Sequence, residues 1–246
     1  MRNPYKLLAL DMDGTLLNGN NEISAENKKW IRFAGEAGIW VSVATGRGFI
    51  TARPYIEELG LQTPMVLVNG SDVWASPDKL HVRTTMPPKD IRALRRLALD
   101  FDIWYWAYST EGVKNRERWV DREEEAEWLK FGFYTEDEAI RAAIRQAIGN
   151  IGEYELTNSH PFNLELNPKG ISKASGLRHV CGLLGIAMSD IVAIGDSFND
   201  LSMIREAGLG VAMENAQKEV KEAADVVTLS NDADGVAHVI REYMLR

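Results

Sequence analysis

Hydrophobic and polar positions along this chain follow two rhythms. Leu7, Leu8, Ala9 and Leu10 form an unbroken apolar run, the pattern of a strand covered on both faces. From Ser24 a helical spacing runs through Trp30, Ile31, Phe33, Ala34 and Ala37 to Gly38, with the serine as N-cap and the glycine as terminator. A second strand is expected over Ile39–Ala44, ending in Thr45-Gly46-Arg47. The helix after it should be kinked by Pro54 and closed by Gly60, and Met65–Val68 should form a third strand ending in Asn69-Gly70. Strand, helix, strand, helix, strand within the first 70 residues argues for a parallel, doubly wound sheet.

The second rhythm begins at Val73–Thr85, a hairpin turning at Ser76-Pro77-Asp78-Lys79. Between Pro87 and Pro161 the composition shifts towards Trp, Arg and Glu. Expected here are a helix near Asp90–Asp100, a strand at Ile103–Ser109 and a partner strand near Gly112–Val120. Thr135, with Glu138 at capping-box spacing, should start a second helix, and strands at Tyr154–Thr157 and Phe162–Leu166 close the segment. Paired strands plus two helices make a small α+β unit inserted into the sheet domain. The first rhythm then returns: helix Ser172–Leu184, strand Ile191–Ile194, a helix capped by Ser197 with Asp200 and ended by Gly208, strand Leu209–Met213, helix Ala216–Ala224, strand Val226–Leu229 and a final helix from Gly235. The expected fold class is α/β, a doubly wound, Rossmann-like parallel sheet core (1–86 and 162–246) with an inserted α+β cap (87–161).

Composition narrows the setting. The 246 residues are 45% hydrophobic, enough for one large domain or two modest ones. A net charge of -8 and no polybasic segment argue against a nucleic-acid partner. The single cysteine, Cys181, rules out an internal disulfide framework, fits a reducing compartment and reads as a small core residue. With no signal peptide expected and no run of about 18 apolar residues, the expected setting is the cytoplasm, off the membrane. Monomer and homodimer stay open.

Several familiar signatures fail by counting. Gly14 and Gly19 have P-loop spacing, but Asn20 stands where lysine must be; a GxGxxG begun by Gly208 and Gly210 fails at Met213; an EF-hand from Asp11 fails at Leu16. There is no GxSxG, and His81, His160, His179 and His238 show neither HExxH spacing nor clustering, so each is expected at the surface or a hinge.

What survives is a set of polar strand ends. Asp11 and Asp13 follow the first strand, with Gly14 allowing a sharp turn. Paired acids at the carboxyl edge of an open α/β sheet suit a divalent cation, an attacking carboxylate or both, although an Asx-type turn would use the same residues. Thr45 tips the second strand, Asp196, Asn199 and Asp200 follow a later one, and Lys173 starts a helix.

Asp11-Met12-Asp13-Gly14-Thr15-Leu16-Leu17, Ala44-Thr45-Gly46-Arg47, Ser172-Lys173 and Gly195-Asp196-Ser197-Phe198-Asn199-Asp200 resemble, in order, the four motifs of the haloacid dehalogenase superfamily of phosphatases. Gly210-Val211-Ala212-Met213 with Asn215-Ala216, and Asn231 through Gly235-Val236-Ala237, are similar to its Cof-like branch. The resemblance spans the sheet domain, about two-thirds of the chain. It implies strand order 3-2-1-4-5 with a further edge strand, so that Asp11, Asp13 and Asp196 meet at the switch point. Three acids there would repel one another without a cation, so Mg²⁺ is expected, bound by the Asp11 and Asp196 carboxylates and the Asp13 carbonyl.

The resemblance further implies a Mg²⁺-dependent phosphatase of small phosphorylated metabolites such as a sugar phosphate, nucleotide or cofactor phosphate, acting through an aspartyl-phosphate. Asp11 is then the nucleophile and Asp13 the general acid and base. Thr45, Lys173 and the backbone N–H groups of Met12, Asp13 and Gly46 would hold the phosphate, Asn199 would contact the phosphate or the lysine, and Asp200 would orient Lys173 or a metal-bound water. Thr45 could instead only terminate a strand, Asp200 only cap a helix, and Lys169 competes with Lys173 as the lysine. Arg47 and Asn69 could each touch substrate or serve locally, in a helix start and a turn. In the insert, Trp104, Trp106 and Tyr108 share a strand face and are expected to pack on the lid's helices rather than stack on substrate. Lys114, Arg116 and Arg118 form a basic stripe, either solvated or attracting an acidic group, and Glu123–Glu127 reads as an exposed helix face. A phosphomutase and a non-catalytic phosphometabolite-binding regulatory domain are the alternatives.

Overall fold

The computed structural model describes residues 4–120 and 122–245. In chain order, β1 (Leu7–Leu10), α1 (Ala25–Glu36), β2 (Trp40–Val43), α2 (Phe49–Glu58) and β3 (Met65–Leu67) alternate, and β4 (Asp72–Ser76) with β5 (Lys79–Arg83) makes the hairpin. The insert holds α3 (Pro88–Asp100), β6 (Trp104–Ser109), β7 (Gly112–Asn115), β8 (Trp128–Tyr134), α4 (Glu138–Ile148), β9 (Tyr154–Thr157) and β10 (Asn163–Pro168). α5 (Lys173–Leu184), β11 (Ile191–Gly195), α6 (Leu201–Glu206), β12 (Leu209–Ala212), α7 (Lys218–Ala223), β13 (Val226–Val227) and α8 (Gly235–Val239) complete the core.

The central sheet is parallel, ordered β13-β12-β11-β1-β2. β3 adjoins β2 through a parallel bridge between Ala44 and Val66 and also pairs antiparallel with β4. β1 explains why the first apolar run has no polar face. Leu8 and Leu10 enter one core beneath α1 and α2, with Val41, Val43 and Ile194, while Leu7 and Ala9 enter a second with Leu177, Val180 and Ala193. Each fully buried leucine contributes roughly 1.5–3 kcal/mol. β1 and β11 are neighbours in register Leu7↔Ile191 to Leu10↔Ile194, so the residues leaving both strands emerge side by side at the switch point.

The cap is an antiparallel sheet ordered β7-β6-β8-β10-β9. Its far face is covered by α3 and α4 through Ile91, Leu94, Ala98, Ile144 and Ile148. β10 lies past residue 161 in the chain, yet it hydrogen-bonds to β8 and β9, so the second sheet continues to Pro168.

Several expectations about the insert are overturned. It is Tyr105 and Ala107, not Trp104, Trp106 and Tyr108, that pack against the lid's helices, and Trp104 is exposed. The alternation along β6 was legible, but which face the helices cover was not. Glu123–Glu127 is not an exposed helix: a single 3₁₀ turn spans Glu123–Glu125, and Glu123 is buried against Arg95 and Trp119. β8 follows it unforeseen. Asp137, not Thr135, caps α4, accepting from the amides of Ala139 and Ile140; Thr135 accepts from the Asp137 amide instead. The basic stripe dissolves because β7 ends at Asn115, Arg116 pairs with Asp102, and Lys114 with Glu111.

Candidate active site

Asp11 leaves β1 with its amide still bonded to the Ile194 carbonyl, so its side chain starts from a fixed backbone. The Met12 carbonyl then accepts the amides of both Thr15 and Leu17, which curls the loop while the Met12 side chain anchors it in the core. Gly14 takes φ +77°, and a Cβ there would stand 2.6 Å from Asp196 Oδ2, so glycine is required by both backbone and space.

Lys173, the first residue of α5, is completely buried. Its Nζ donates to Asp11 Oδ1 at 2.5 Å and to Asp200 Oδ1 at 2.6 Å. Burial opposes its charge, but the two carboxylates outweigh that and raise its pKa. Lys169, the competing lysine, sits in solvent paired with Glu153. Asp200 uses its second oxygen, Oδ2, to accept the amides of Asp196 and Ser197, both at 3.0 Å. It therefore does more than cap a helix: it fixes the loop that carries Asp196. Asp196 in turn accepts from the Thr15 and Ser197 hydroxyls at 2.9 and 2.8 Å.

Carboxylate oxygens of Asp11, Asp196 and Asp200 all lie within 4.8 Å of one another. Burial, reinforced by the neighbouring acids, pushes Asp11 well above the usual carboxylate range and Asp196 up to about 6. One ammonium against three carboxylates leaves negative charge uncompensated in a dry setting. That surplus, with hard oxygen donors only, fits a divalent cation.

The other expected residues fall around this centre. Asp13 is exposed, and both its oxygens are engaged by Arg47, Nε to Oδ2 at 2.8 Å and Nη2 to Oδ1 at 2.5 Å. Thr45 is buried, its hydroxyl oxygen accepting the Arg47 amide at 3.1 Å. Asn69, held at φ +56°, accepts from Asn199 Nδ2 at 3.2 Å, while the buried Asn199 Oδ1 has no hydrogen-bond partner. A cavity of about 260 Å³ opens onto Asp11, Asp13, Gly46, Arg47 and Asn199 from the core and onto Trp106, Tyr108 and Lys130 from the cap. A larger hollow of about 750 Å³ between α1 and α2 borders the start of β2, away from these acids.

Sequence reasoning missed the side chains that join cap to core. Lys130 on β8 donates to the Gly46 carbonyl at 3.1 Å and to Glu165 Oε2 at 3.0 Å, with both ions buried. Burial works against the Glu165 charge, but Lys130 and hydrogen bonds from Ser159 and Asn69 prevail and lower its pKa. Asn167 donates to the Val68 carbonyl and to Ser71 Oγ at 2.8 and 2.9 Å. Asn215 Nδ2 donates to the Gly14 carbonyl at 2.7 Å and Asn231 Nδ2 to the Leu17 carbonyl at 2.9 Å, clamping the Asp11 loop from the far end of the chain. Only the two asparagines had a signal, in the Cof-like similarity around them.

Fold and site together define a doubly wound α/β hydrolase with a capped acidic centre at the switch point. The sequence model of the haloacid dehalogenase-like hydrolases matches residues 8–127 and 111–240. Over 240 residues the chain is 44% identical to the 5-amino-6-(5-phospho-D-ribitylamino)uracil phosphatase YcsE of Bacillus subtilis, covering 98% of this chain and 96% of that one. It is 30% identical over 286 residues to phosphatase YwpJ of the same organism, covering 97% and 100%. A haloacid dehalogenase-like hydrolase from B. subtilis superposes with a TM-score of 0.89 at 26% identity, over 97% of this chain and 100% of that one. One from Bacteroides thetaiotaomicron does so with 0.82 at 30%, over 96% and 98%. The chain belongs to the haloacid dehalogenase-like hydrolases, as a phosphatase.

Proposed function

We propose that this phosphatase hydrolyses small phosphorylated metabolites with Mg²⁺, using Asp11 as nucleophile and an aspartyl-phosphate intermediate. The observation that carries the reading is the Lys173 ammonium held between Asp11 and Asp200, with Asp196 beside them at the tip of β11. A phosphate dianion would be repelled by these acids alone. The Asp11 and Asp196 carboxylates and the Asp13 carbonyl would hold Mg²⁺, which would supply the missing positive charge. Asp200, with one oxygen on Lys173 and the other on two amides, serves to position rather than to ligate.

Lys173, the Thr45 hydroxyl, the Asn199 carboxamide and the Met12, Asp13 and Gly46 amides hold the phosphoryl oxygens. An Asp11 oxygen then attacks phosphorus in line, the ester P–O bond breaks, and Asp13 gives its proton to the departing alcohol. Asp13 next takes a proton from water, whose oxygen attacks the same phosphorus. Phosphate leaves and the Asp11 carboxylate is restored. Arg47 now grips Asp13, and an incoming dianion competes for that guanidinium, freeing the acid for proton transfer. The single cysteine and the substrate class fit a cytoplasmic enzyme.

The relative named for a ribitylaminouracil phosphate makes that ester the first to assay. Asp11→Asn should abolish Mg²⁺-dependent release of inorganic phosphate across a panel of metabolite esters, and removing Mg²⁺ with a chelator should do the same. Persisting turnover in Asp11→Asn would sink the assignment. Steady accumulation of an isomeric ester without free phosphate would replace it with a mutase.

A further inference from the structure

β6 carries two faces of different use. Tyr105 and Ala107 fill the cap's core, whereas Trp106 and Tyr108 look onto the cavity shared with Asp11 and Asp13. Trp106 lies opposite Gly132 of β8 in register. A Cβ added at Gly132 would intrude into the six-membered ring of that indole, so the ring rests directly on the glycine's backbone. Gly132 is buried in mid-strand and is not among the glycines of positive φ, so no turn explains it. A glycine inside a strand weakens the strand and marks a close approach; here the approach is by Trp106.

The indole's contact with Gly132 lies outside the apolar cores. Trp106 is half-buried, yet takes part in none of the three apolar clusters of the described residues. Two residues on, the ring of Tyr108 has Lys130 Nζ 4.5 Å from its centroid. The leaving-group side of the cavity is thus walled by a flat indole seated on glycine and by a phenol backed by a fixed cation.

We propose that Trp106, seated on Gly132, is a stacking shelf that selects phosphate esters whose alcohol carries a flat unsaturated heterocycle. The proposal deepens the phosphatase reading and rests on it. An apolar ring in a polar cleft gains most from a planar partner, and such stacking is sequence-tolerant and strong.

Esters matched except for the ring test it: uridine 5′-phosphate against ribose 5-phosphate, and riboflavin 5′-phosphate against ribitol 5-phosphate. The wild type should favour a ring-bearing member in kcat/KM. Trp106→Ala should lower that member's kcat/KM about tenfold, mainly through KM, and leave its ring-free partner within about twofold. Gly132→Val, which evicts the indole, should copy this effect, and Trp106→Phe should retain most of the preference. Equal losses for both members of each pair, or a wild-type preference for the ring-free members, would overturn the shelf. If no ester were hydrolysed, the phosphatase reading would fall separately. Calorimetric binding of uridine 5′-phosphate or riboflavin 5′-phosphate, weakened about tenfold by Trp106→Ala, would then still uphold the shelf, and binding that is absent or unaffected would overturn it.

Discussion

At the scale of single residues, Lys173 has the most at stake. Among the described residues it is the only ammonium hydrogen-bonded to Asp11, and it is fully buried. Lys173→Met should destabilise the fold by about 3–5 kcal/mol, because it leaves two buried carboxylates face to face, and should lower kcat at least 100-fold. Urea denaturation and phosphate release check the two parts. Asp196 gives a pH signature. Burial and the neighbouring Asp200 push its folded pKa up to about 6, above the ordinary aspartate range, so the folded state holds its proton more tightly than the unfolded one. The stability this contributes is complete below about pH 4 and is lost as pH rises through 6. Metal-free protein should therefore melt at lower temperature at pH 7 than at pH 5.5. Added Mg²⁺ should raise the melting temperature more at pH 7, where it no longer competes with that proton. Equal Mg²⁺ stabilisation at both pH values would count against Asp196 as a ligand.

Among elements, the loop from Asp11 to Leu17 is the one whose shape the chemistry needs. Gly14→Ala forces a Cβ onto Asp196 at a left-handed position and should weaken Mg²⁺ activation at least tenfold, seen as a higher Mg²⁺ concentration at half-maximal rate. Asn215→Ala removes the clamp on the Gly14 carbonyl and should raise the same quantity by a smaller factor, with little change in melting temperature because Asn215 is exposed. Core elements were legible from sequence for a physical reason. β1 and β11 are covered on both faces, so each reads as a short unbroken apolar run followed by acids. β8 was not legible. Phe131 and Phe133 face the cap core, but Lys130 and Gly132, which alternate with them, suit a buried strand only because Glu165 neutralises one and Trp106 fills the space over the other. Those partners lie 35 and 26 positions away in sequence, beyond any local pattern. The aromatic alternation of β6 was visible for the opposite reason, since period-two spacing is local. Its inward face was decided by where α3 and α4 land.

For the whole molecule, cap and core are joined beside the cavity by a polar network. Lys130 and Glu165 are both almost wholly buried, and Lys130 also grips the carbonyl of Gly46 in the core. Lys130→Met alone should cost about 3–5 kcal/mol, as should Glu165→Leu alone, while the double variant should recover much of the loss because no buried charge is left unpaired. A urea double-mutant cycle with strict additivity would contradict a paired seam. A second consequence comes from the clamps on the Asp11 loop. Asp11, the proposed nucleophile, stands 162 positions before Lys173, and Asn231 holds the same loop from 214 positions beyond Leu17. A chain emerging from the ribosome should therefore stay chemically silent until residue 231 has emerged, so copies stalled before it should not drain phosphorylated metabolites, and complementing halves should regain activity only when both are supplied.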